Sequence, residues 1–167
     1  MAVTSGAKAA VTLPTDEQIL ITREFDAPAH LVYKAWTTPE LVRRWWHANR
    51  GEIKSVEIDL RVGGTWRYSM TACDEHDVAF HGEYQEIVPN ERIVSTEFYE
   101  GVPEGVSEDD ATTLNTTTFG ETAAGTMLAI LIEANSKMAR DAIIASGMED
   151  GLQDALDLLE QLAASLR

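Results

Sequence analysis

Long apolar runs are missing from this sequence. The longest, Met127 to Ile132, falls far short of the ~20 residues that a membrane helix needs. Cysteine is almost absent: Cys73 stands alone, so no internal disulfide can form. Residues 1–16 carry one Lys and no apolar block, so they do not read as a secretory leader. They read as a disordered N-terminal tail ahead of a single domain over residues 17–167. A cytoplasmic protein is the expectation.

Basic residues are scarce as well. Lys plus Arg number 13 against 28 Asp plus Glu, a net charge of −15. A polyanion is repelled by phosphate backbones and by anionic lipid, so neither nucleic acid nor a membrane is expected as a partner. No Lys or Arg occurs from Ile93 to Ser136, a stretch that includes Glu97, Glu100, Glu104 and the run Glu108-Asp109-Asp110. It reads as a solvated acidic edge; the alternative is a docking surface for a basic partner.

Signatures of familiar chemistry are missing too. No Ser or Cys nucleophile stands in a triad context, and there is no phosphate loop or dinucleotide fingerprint. Cys73, Asp74, His76 and Asp77 lack the paired spacing of a zinc site and fall on a hairpin tip. No metal and no cofactor is expected.

What is present is a clear order of elements. Gln18 to Phe25 reads as a strand with Ile19, Ile21, Arg23 and Phe25 on one side. Pro28 then falls in the first turn of a helix reaching about Trp36, with Asp26 or Ala27 ahead of it. Thr38-Pro39 opens a second short helix carrying Leu41, Val42, Trp45 and Trp46. Strands follow. Val56, Ile58 and Leu60 alternate, as do Trp66, Tyr68 and Met70, then Phe80, Gly82 and Tyr84, then Val94, Thr96 and Phe98. Thr112 to Phe119 and Thr126 to Ile132 complete the set, the latter with Leu128, Ile130 and Ile132 inward. Ser136 is the expected cap of one long final helix, about Lys137 to Ser165. Its stripe of Met148, Leu152, Ala155, Leu159, Leu162 and Leu166 is spaced 4, 3, 4, 3 and 4, with Asp157 and Glu160 elsewhere.

Dimensions add a constraint. Six or seven antiparallel strands at ~4.8 Å make a sheet about 30 Å wide. One helix is ~10–12 Å across, so the sheet must curl around it. Closure is not expected everywhere, and a gap lined by large side chains follows.

The order strand, two short helices, strands, long helix resembles the helix-grip fold of the START and birch-pollen-allergen superfamily. Four segments sharpen this: REFDAPAHLVYKAWTTPELVRRWW at 23–46, DLRVGGTWRYSM at 59–70, GEYQEIVPNERIVSTE at 82–97 and ARDAIIASGMEDGLQDALDLLEQL at 139–162. They are similar to the family of activators of the heat-shock-protein-90 ATPase and its bacterial single-domain relatives, over about residues 18–166. The resemblance implies an α+β helix-grip fold with a cavity between sheet and long helix. Members it implies include chaperone activators, lipid and polyketide binders and cyclase-like enzymes, so it fixes no single activity.

The expected cavity lining is Trp45, Trp66, Tyr68, Met70, Phe80, Tyr84, Thr96, Phe98, Asn115, Met148 and Leu152. Aromatic rings with polar tips suit an amphiphilic molecule; the alternative is a filled core. His81 and Glu83 lie opposite Tyr84 and are expected to face out, away from any substrate. The leading expectation is binding of a small hydrophobic or aromatic ligand without catalysis. The alternatives are a cyclase or hydratase using Tyr84 and Asn115, and a chaperone-binding protein. Met127, Ala129 and Leu131 on the outer side of the last strand leave a homodimer open, the alternative being cover by the tail.

Overall fold

The computed structural model describes residues 8–102 and 104–167. The first strand of the sequence reading, β2 (Gln18–Phe25), alternates buried and half-buried positions, with Ile19, Ile21, Arg23 and Phe25 all turned inward. It is preceded by β1 (Ala10–Thr12), which pairs with it antiparallel. Part of the expected disordered tail is therefore an edge strand, three residues long. Residues 1–7 of that tail lie outside the described residues.

β2 ends at Phe25, and Pro28 stands at the N-cap of α1 (Ala29–Thr37), one position ahead of the expected first turn; the inner face of α1 buries Val32 and Ala35. The following helix, α2 (Pro39–Val42), is a single turn, and Trp45 and Trp46 sit in the turns after it rather than on it. Strands β3 (Gly51–Ile58), β4 (Thr65–Ala72), β5 (Asp77–Val88) and β6 (Arg92–Tyr99) form a meander. A short helix α3 (Glu108–Ala111), capped by the Ser107 hydroxyl, leads to β7 (Thr112–Glu121) and β8 (Thr126–Glu133). Among the described residues eight strands make one sheet, ordered β1-β2-β8-β7-β6-β5-β4-β3 and antiparallel throughout. The sheet is open: β3 is one border, with a register shift between Ile53 and Ser55.

The expected long final helix is two helices. Ser136 caps α4 (Lys137–Ala145) as expected, its hydroxyl accepting from the Ala139 amide at 3.0 Å. The chain then breaks at Gly147, whose φ of 80° belongs to the left-handed region that glycine occupies without strain. α5 (Met148–Ser165) resumes from there. Asp141, which stands one helical heptad before Met148 in the sequence, is separated by this break from the apolar stripe of α5. It lies on α4, ion-paired with Lys137 and Arg140.

The stripe on α5 packs inward over its C-terminal half: Leu159 is fully buried and Ala155 and Leu162 nearly so, while Met148, Leu152 and Leu166 are half-buried. Leu156, outside the expected stripe, is fully buried as well, and each buried leucine contributes about 1.5–3 kcal/mol by the usual transfer scale. One polar contact was not legible. Glu160, expected on the polar side, is 3% exposed. It receives Arg23 Nη2 at 3.0 Å and the Asp26 amide at 2.9 Å. Arg23 also reaches Asp157 at 2.7 Å. The inward arginine of β2 is thus neutralised by the helix that covers it. This is the helix-grip arrangement: one curled sheet holding a C-terminal helix against its inner face.

Candidate functional site

The grip does not close along its whole length. Between the inner face of the sheet and the first turns of α5 lies a cavity of about 480 Å³. Strand β4 supplies Trp66, Tyr68 and Met70, and β5 supplies Phe80 and Tyr84, as their alternation predicts. Met148 and Leu152 of α5 and Asn115 of β7 also line it. Trp45 lines the far end, but it is mainly a packing residue. Its Nε1 donates to the Ala35 carbonyl at 2.9 Å, and its ring stacks on Trp36. Its neighbour Trp46, absent from the expected set, makes edge contacts with Tyr68 and Phe80 inside the cavity. Two neighbouring tryptophans divide the work because they point in different directions.

Two expected positions are corrected. Thr96 and Phe98 face away from the cavity, while Ile93, Ser95 and Glu97 face into it. Phe98 instead packs against the His81 ring on the outer face. Thr96 turns its hydroxyl to the Glu83 amide at 3.0 Å. The register gives the reason: Tyr84 pairs with Ser95 and His81 with Phe98, so each pair shares a face. The sequence of β6 has an apolar or β-branched residue on both faces, and the more apolar-looking row is the outer one.

Glu97 is what the sequence reading missed. Counted with the acidic edge, it instead points into the cavity, where burial pushes its carboxyl up to about 7 despite a hydrogen bond that favours the charged form. That bond comes from Asn115 Nδ2 at 2.6 Å. The Thr113 hydroxyl donates to Asn115 Oδ1 at 2.9 Å and so fixes which way the amide points. Around this chain Tyr68 and Tyr84 are also held above their ordinary range, chiefly by burial. The sequence signal for Glu97 is its place two residues after Ser95, the partner of Tyr84 across the β5–β6 turn, which puts it on the inward row.

The opposite face carries ordinary surface chemistry. Glu100 accepts from Arg67 at 2.8 and 3.0 Å and meets His81 Nδ1 at 2.9 Å. These bonds hold its carboxyl down at about 2. His81 and Glu83 face out, as expected, and no substrate in the cavity could reach them. Cys73 is exposed at the β4–β5 turn. No group of three or more metal-ligating side chains occurs among the described residues.

None of the curated proteins compared matches the chain. Solved structures do. A protein of Rhodobacter sphaeroides superposes with a TM-score of 0.85 at 22% identity, over 95% of this chain and 99% of that one. One from Chromobacterium violaceum gives 0.70 at 30% identity, over 89% and 96%. An AHSA1-like protein of Aeromonas hydrophila gives 0.65 at 19% identity, over 89% and 93%. No helix among the described residues is long and apolar enough to cross a membrane. The family and fold support a ligand-binding or chaperone-associated role. The sequence model described as Activator of Hsp90 ATPase homolog 1-like protein matches residues 26–164, and the chain belongs to that family.

Proposed function

We propose that this protein binds a small hydrophobic or aromatic molecule in the cavity between its sheet and α5. The observation that carries the reading is the cavity itself: about 480 Å³, walled by Trp46, Trp66, Tyr68, Phe80 and Tyr84. Sites of this size and lining bury most of an apolar ligand and orient it with a few polar groups. Because Trp46 and Trp66 belong to the wall, occupancy should change tryptophan emission. Lipids, polyketides and aromatic metabolites are titrated while that emission is followed. A saturable change with one class is the expected result; no saturable change with any class would remove the proposal.

A second reading is favoured by one observation. Glu97, neutral or charged near physiological pH and oriented by Asn115, has the properties of a general acid–base group. If the bound molecule is also transformed, Glu97→Gln should lower turnover by about a hundredfold or more and leave binding in place. Equal turnover in the variant would confine Glu97 to recognition.

A further inference from the structure

The cavity has a polar floor that the proposed function does not by itself explain. Trp66 of β4 pairs with Gly82 of β5. The antiparallel count from His81–Phe98 and Tyr84–Ser95 places Glu97 of β6 opposite the same glycine. The row Trp66, Gly82, Glu97 therefore crosses three strands on the inner face. Its middle position has no side chain. A Cβ at Gly82 would lie 2.6 Å from Trp66 Nε1, so the indole nitrogen leans over the glycine toward β6. Trp66 is 8% exposed, and its Nε1 is buried with no hydrogen-bond partner. A buried indole N–H without an acceptor is costly and uncommon. Across the glycine stands the Glu97 carboxyl, with one oxygen held by Asn115. The floor thus offers one donor and one acceptor on either side of a gap.

Resting on the reading of the cavity as a ligand site, we propose that its ligand is an apolar molecule carrying a hydroxyl, seated over Gly82. The hydroxyl oxygen accepts from Trp66 Nε1–H and its hydrogen is donated to the Glu97 carboxyl. A hydroxyl is the simplest group that satisfies both sides at once. An ammonium has no lone pair for the indole N–H. A carboxylate is repelled by Glu97, and a hydrocarbon leaves both groups unmet. The other titratable side chains around the cavity are Tyr68, Tyr84, His47 and Arg50, and Arg50 is bound to Asp154 at the rim.

The test is calorimetric titration of the whole chain with three probes of one shape: naphthol, methylnaphthalene and naphthylmethylamine. The wild type should bind naphthol at least about tenfold more tightly than methylnaphthalene, since a site built around a hydroxyl rejects its lack. Glu97→Leu and Trp66→Phe, each checked for a native melting transition, should abolish that preference while methylnaphthalene binding persists. Equal affinity for naphthol and methylnaphthalene in the wild type would overturn the hydroxyl site and leave the apolar cavity standing. Preference for the amine would overturn it in favour of a cation site on Glu97. Failure of all three probes to bind would count against the ligand cavity itself, and the hydroxyl site with it.

Discussion

Replacing Glu97 by Gln asks whether the ligand-free cavity holds an acid against its own hydration. Burial moves this carboxyl from its ordinary 4.5 up to about 7. Below the lower value it is protonated in the folded and the unfolded chain, and it costs nothing. Between the two values the folded chain keeps a proton that the unfolded chain has released, so stability falls as pH rises. Above the upper value both states are ionised and the penalty is complete. At about 1.4 kcal/mol for each pH unit separating the two values, the full penalty is about 3 kcal/mol. Glutamine keeps an acceptor for Asn115 and cannot ionise. Glu97→Gln should therefore resemble the wild type near pH ~4.5 and exceed it by up to about 3 kcal/mol near pH ~8. Urea unfolding of both proteins across this range measures the difference, and the other titrating groups cancel between them. A difference that stays flat with pH, or that favours the wild type at the alkaline end, would refute the reasoning.

Other substitutions test how the grip is held. Glu160→Ala leaves Arg23, buried on β2, with only the half-exposed Asp157. It should cost about 3–5 kcal/mol in urea unfolding, and a loss below about 1 kcal/mol would contradict the buried pair. Gly82→Val places a Cβ 1.8 Å from the Thr96 carbonyl oxygen, a backbone atom that no side-chain rotation can move. It should lower the melting temperature by circular dichroism and shift Trp66 emission, and an unchanged melting curve would show that β5 and β6 can part to admit it. Leu159→Ala, at a fully buried position of α5, should cost about 2–5 kcal/mol, and less would mean that the helix settles into the space.

The elements that the sequence made legible are those with one strongly apolar face. The stripe of α5 and the Trp66-Tyr68-Met70 row were readable because burial selects large side chains at a fixed period. Strand β6 was not, because its inner face includes Glu97, and an acid on an inward row reads as surface. Hydrophobic patterning assumes that the interior is apolar, and a cavity with a polar floor breaks that assumption. The Arg23–Glu160 pair escaped for a related reason: Arg23 falls on the inward row of β2, but Glu160 looks like surface until that arginine is placed against it. Gly147 was a visible break signal, overridden by the regular stripe beyond it. The pairing of β1 was beyond reach, since three residues carry no period. Trp66, Tyr68, Phe80 and Tyr84 could thus be named in advance, whereas Trp46 was missed and Phe98 was set on the wrong face. The two groups best suited to recognise a ligand, Glu97 and the indole nitrogen over Gly82, could not.

An open sheet must also keep to itself. Its border strand β3 turns Glu52, Lys54 and Glu57 to water, and its ladder slips a step around Lys54. Arg43 takes the Lys54 carbonyl at 3.3 Å, occupying one of the acceptors that a visiting strand would seek. A second copy approaching along this side meets charge, a kink and a group already engaged. A protein that hollows out its interior gives up packing that would have defended it, and guarded margins of this kind are how such a fold can stay loose inside without adhering to its neighbours.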